Sequence, residues 1–83
     1  MTLKITLFAA LKDLAGVESF SVVAAEGDTG TQVLDLVGNK FPVLRDHLPY
    51  VRLANDERYL ATDAVIESSS TPELNIIPPV SGG

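Results

Sequence analysis

One segment governs what this chain can become. In EGDTGTQVLDLVGNKFP, Glu26 to Pro42, Thr29 is followed three residues on by Gln32. That is a capping box: the Thr hydroxyl accepts the Gln32 amide proton, and the Gln side chain reaches back to the start of the helix. Val33, Val37 and Phe41 then fall at i, i+4 and i+8, one face of a helix, and Leu34 and Leu36 widen it. Pro42 ends it. Gly38 costs roughly 1 kcal/mol relative to Ala, which predicts a loose last turn. A helix with one apolar face must bury that face on something, and the rest of the chain offers strands.

Leu3, Ile5 and Leu7 alternate with Lys4, Thr6 and Phe8, so residues 2–8 read as a strand with one face in the core. AALKDLAG, residues 9–16, suits a turn or two of helix closed by Gly16. Glu18 to Ala24 alternates again around Phe20 and Val22, and an antiparallel pairing with the first strand is expected. PVLRDHLP reads as a short connector. Tyr50 to Ala54 is a strand, Asn55 to Arg58 a turn, and Tyr59 to Ala61 a short strand. ESSSTPE is a polar loop. Leu74, Ile76 and Ile77 form a last strand, which Pro78 and Pro79 stop because proline cannot donate to a ladder. The order β, β, α, β, short β, β predicts an α+β domain whose helix covers one sheet face.

Several function classes fall away. A chain of 83 residues has room for one domain. Its net charge of −5, with six scattered basic residues, argues against nucleic acid and favours a basic partner surface. With no cysteine there is no disulfide, thiolate metal site or cysteine nucleophile. The apolar run at the start breaks at Lys12-Asp13, so it reads as neither a signal peptide nor a membrane span. A cytoplasmic location is expected. His47 is the single histidine and sits in a generic connector. The carboxylates are spread along the chain and read as a solvated surface. No His/Asp/Glu group has metal-ligand spacing, and GDTG lacks the Gly-Lys-Ser/Thr ending of a phosphate loop. As an enzyme in its own right the chain looks poorly equipped.

The end of the sequence, IPPVSGG, carries the chemistry instead. Residues 80–83 span at most about 14 Å when extended. The two glycines are little wider than backbone and can enter a channel that a side chain would block. The prolines hold the tail extended, which lowers the ordering cost of insertion. Such a tail delivers a terminal carboxylate. Joined to AMP, that group becomes a mixed anhydride open to a sulfur nucleophile. The resulting thiocarboxylate is itself a nucleophile, so the tail is suited to carry activated sulfur.

Three stretches together, LFAALKDLAG, the capped helix running into KFP, and LNIIPPVSGG, resemble the small subunits of molybdopterin synthase. The resemblance covers essentially the whole chain, and PPVSGG is its most specific part. It implies a β-grasp (ubiquitin-like) fold: a mixed sheet of about five strands covered on one face by the main helix, with residues 1–78 as the domain and 79–83 as the tail. It implies that an activating enzyme adenylates Gly83 with ATP and that a sulfur donor system converts it to a thiocarboxylate. The tail then enters the active site of the large subunit, in a heterotetramer, and gives sulfur to a precursor pterin (precursor Z), building the dithiolene that holds molybdenum or tungsten. Catalytic side chains are expected on the large subunit, and no cofactor on this chain.

Within this scheme Gly83 carries the sulfur, Gly82 gives slimness, and Pro79, Val80 and Ser81 shape the tail. Phe8 points away from the core face of its strand and is a candidate for partner binding. Ile77 and one of Tyr59 or Leu60 match the family's other patch positions. Two related fates of the same carboxylate stand as alternatives: a thiamine-pathway sulfur carrier, and a ubiquitin-like modifier joined to lysines through Gly83. Many relatives carry a Gly-Asp turn where this chain has SSSTPE.

Overall fold

The computed structural model describes residues 1–79. Its strands are β1 (Thr2–Leu7), β2 (Ser19–Val23), β3 (Arg52–Ala54), β4 (Tyr59–Leu60) and β5 (Glu73–Ile77), and its helices are α1 (Ala9–Ala15) and α2 (Gly30–Lys40). The five strands form one sheet in the order β2-β1-β5-β3-β4. β1 and β5 run parallel at its centre, while β2 and β3 pair antiparallel to them on either side. This is the β-grasp arrangement that the resemblance implies. Among the described residues no helix is long and apolar enough to cross a membrane.

The alternation of β1 is what seats the sheet. Leu3, Ile5 and Leu7 are buried, as are Leu74 and Ile76 on β5 and Leu53 on β3. They face α2, whose Val33, Leu34 and Val37 complete the core. The capping box is formed as expected. The Gln32 amide donates to Thr29 Oγ1 at 3.4 Å, and the Thr29 amide donates to Gln32 Oε1 at 2.8 Å. Phe41 closes the helix, its N–H bonded to the Val37 carbonyl, and its ring meets Phe20 edge-on with centroids 4.7 Å apart.

The last turn of α2 is not loose. Gly38 is buried, and the Arg45 stem and Leu48 pack onto it; a Cβ there would lie 3.2 Å from Arg45 Cγ. Arg45 Nε donates to the Gly38 carbonyl at 3.1 Å and its terminal nitrogen donates to Asn39 Oδ1 at 3.2 Å. The helix loses propensity at Gly38 but gains a capped end. The connector holds two 3₁₀ turns, Pro42–Leu44 and Leu48–Tyr50. The second turn takes Tyr50, so β3 starts at Arg52, two residues later than its sequence pattern predicts.

Candidate functional site

The sheet has one face under α2 and one that, among the described residues, no helix covers. On β1 the uncovered face carries Thr2, Lys4 and Thr6, and on β5 it carries Glu73, Asn75 and Ile77, because side chains alternate along a strand. Glu73 is already engaged: Thr6 Oγ1 donates to it at 2.9 Å, and Lys4 Nζ lies 4.0 Å away. The middle of this face is therefore polar, with Glu73 held by its neighbours on β1.

Its end is different. Leu7 stands beside Ile76, so one step further along the same parallel register brings Phe8 beside Ile77. Phe8 keeps the extended backbone of the strand (φ −125°, ψ 150°) and is 42% exposed. The next residue, Ala9, has φ 51°, in the left-handed region that residues other than glycine rarely occupy. That single residue turns the chain out of β1 and into α1. Gly16, at φ 76°, ends α1 with its N–H on the Lys12 carbonyl.

β3 and β4 complete the patch. Arg52 pairs with Ile77, and Ala54 pairs with both Asn75 and Tyr59. Tyr59 thus shares the uncovered face and is 58% exposed. Leu60 pairs with buried Leu53 and packs against the core. The two candidates at this place separate: Tyr59 stands in the patch and Leu60 does not. The turn between β3 and β4 is fixed by Asn55, whose Oδ1 accepts from the Glu57 and Arg58 amides, both at 2.9 Å. That Asx geometry decides which of the two side chains comes out on this face.

Phe8, Ile77, Arg52 and Tyr59 therefore gather at the end of the sheet where β5 stops. Pro78 is half-buried and Pro79 exposed, and both follow Ile77 directly. The predicted tail residues Val80, Ser81, Gly82 and Gly83 lie outside the described residues. Arg52 was not singled out by its sequence. Its signal is the period-two alternation with Leu53, but its neighbourhood depends on a partner strand 25 residues away in sequence (77 − 52). His47 is exposed; its backbone N–H donates to the Leu44 carbonyl and its carbonyl accepts from the Tyr50 amide. Among the described residues no group of three or more His, Cys, Asp or Glu is placed to hold a metal ion.

A family model described as the ThiS family matches residues 5–83. A molybdopterin synthase sulfur carrier subunit of Arabidopsis thaliana is 37% identical over 81 residues, covering 98% of this chain and 82% of that protein. Among solved structures, SAMP1 from Haloferax volcanii superposes with a TM-score of 0.80 at 24% identity over 100% of both chains. A chain from a complex of subunits 1 and 2 of the molybdopterin-converting factor of Helicobacter pylori superposes with a TM-score of 0.64 at 15% identity, again over 100% of both.

Proposed function

The chain belongs to the ThiS family, and we propose that it is the sulfur carrier subunit of a molybdopterin synthase, working in the cytoplasm. The observation that carries this reading is the coincidence of two features at one end of the sheet. An apolar patch of exposed Phe8 and Tyr59 with half-buried Ile77 stands where β5 hands the chain to the Pro-Pro segment that leads to the Gly-Gly end. A partner that grips the patch receives the tail at a fixed point. The similarity to the Arabidopsis carrier supports the molybdopterin branch over the thiamine and modifier branches. The likeness to a chain solved with its subunit 2 supports a large-subunit partner.

The chemistry follows from the carboxylate. The Gly83 carboxylate attacks the α-phosphorus of ATP on an activating enzyme and pyrophosphate leaves. A sulfur nucleophile from a donor system then attacks the acyl carbon and AMP leaves, so one oxygen is exchanged for one sulfur. The patch docks on the large subunit, and the tail carries the thiocarboxylate into that subunit's active site, where the sulfur attacks the precursor pterin. Water then attacks the Gly83 acyl carbon and the acyl C–S bond breaks, which leaves the sulfur on the pterin and frees the Gly83 carboxylate for another round. Pro79, Val80, Ser81 and Gly82 supply reach and slimness. The chain binds no cofactor of its own, and the catalytic side chains belong to the large subunit.

The test is reconstitution with the large subunit and charged carrier. Deleting Gly82-Gly83 is expected to abolish dithiolene formation while leaving the melting temperature nearly unchanged. Retained transfer would overturn the reading.

A further inference from the structure

The docking patch contains one charge that its apolar role does not explain. Arg52 lies between Ile77 and Tyr59, and its guanidinium carbon stands 4.3 Å from the centre of the Tyr59 ring. Among the described residues the ion pairs are Lys4–Glu73 and Lys12–Glu18, and the arginine side-chain hydrogen bonds are those of Arg45. Among the described residues Arg52 is thus engaged by stacking on Tyr59 and by no hydrogen bond or ion pair, and it is exposed. Stacking on an aromatic face fixes the plane of the guanidinium and leaves its donor edge free, ready for a planar acceptor.

The surrounding charge points the same way. The whole chain carries a net charge of −5. On the uncovered face, however, Glu73 is spent on Lys4 and Thr6. Its patch end carries Arg52, which pairs with Ile77, stacks on Tyr59 and, among the described residues, has no carboxylate partner. A partner surface that closes over those side chains also strips water from Arg52. Burying an unpaired guanidinium is costly, whereas a carboxylate opposite it restores the balance and adds two parallel hydrogen bonds.

Resting on the proposed function, we infer that Arg52 is a specificity-determining residue of the docking face, and that it fits a side-chain carboxylate on the large subunit. The apolar residues supply area. Arg52 rejects partner surfaces that lack an acid at that place, since a missing counter-charge penalises the wrong complex.

The experiment measures binding of the intact carrier and its variants to the cognate large subunit at low and high salt. Arg52→Met keeps the stem and its packing on Tyr59 but removes the charge. It is expected to bind on the order of 30-fold more weakly, with Arg52→Lys between it and the parent and Arg52→Glu weakest. One Asp→Arg or Glu→Arg variant of the large subunit is expected to restore binding of Arg52→Glu. Because Arg52 is exposed, melting temperatures should stay close to the parent's. Equal or tighter binding by Arg52→Met would overturn the inference while leaving the proposed function intact. If the unaltered carrier fails to bind the large subunit at all, the proposed function falls with it.

Discussion

Ile77 and Arg52 stand opposite each other on β5 and β3, so the last residue of the sheet lies on the same face as Tyr59, at the point where the chain leaves for its tail. Under the proposed function, this puts the docking patch within one residue of the start of the tail. Replacing Ile77 with Ser, or Phe8 with Ala, is expected to weaken large-subunit binding by roughly 1–3 kcal/mol each, as apolar anchors at an interface do. Neither side chain is in the core, so thermal unfolding should shift little. Titration of the large subunit with each variant checks this, and unchanged affinity would remove the patch from the interface.

Ala9 holds the one positive φ among non-glycine residues of the described chain, at 51°. Glycine takes this conformation without a Cβ clash. Ala9→Gly is therefore expected to stabilise the domain by roughly 0.5–1 kcal/mol, after allowing for the greater freedom of glycine in the unfolded chain. A melting curve decides it, and a lowered midpoint would contradict the strain argument.

Gly30 opens α2 where there is no room for a side chain. A Cβ there would stand 2.6 Å from Leu53 Cδ1 and 3.0 Å from the Thr62 carbonyl oxygen. Its amide also donates to the Ala64 carbonyl at 3.0 Å. Gly30→Ala is expected to cost roughly 1–3 kcal/mol through overpacking. Denaturant unfolding measures the loss directly, and a neutral result would mean that the helix start can slide away from β3.

Thr29 caps the same helix through its hydroxyl. Thr29→Ala is expected to cost about 1 kcal/mol, and Thr29→Ser to recover most of it. If both variants unfold at the parent's midpoint, the cap contributes nothing.

Local rules made much of this molecule legible. The capping box and the alternation of Leu3, Ile5 and Leu7 each depend on residues within one element, and they appear as read. The loose turn that Gly38 predicts is absent because propensity describes the helix in isolation, while Arg45 and Leu48 fill the space a side chain would take. Tyr50 reads as strand by composition, yet Pro49 and the 3₁₀ turn claim it. Tyr59 and Leu60 could not be told apart because their facing depends on the Asn55 turn and on pairing with β3. Arg52 is illegible in the sequence for the same reason: its neighbours, Ile77 and Tyr59, come from two other strands.

The central claim is that the carboxyl group of Gly83 carries activated sulfur, and intact mass spectrometry tests it most directly. The chain is incubated with a competent activating enzyme, ATP and a sulfur donor. The account predicts a gain equal to the exchange of one oxygen for one sulfur, absent when ATP is withheld and absent when Gly83 is deleted. An unchanged mass under conditions that charge a known carrier would contradict it.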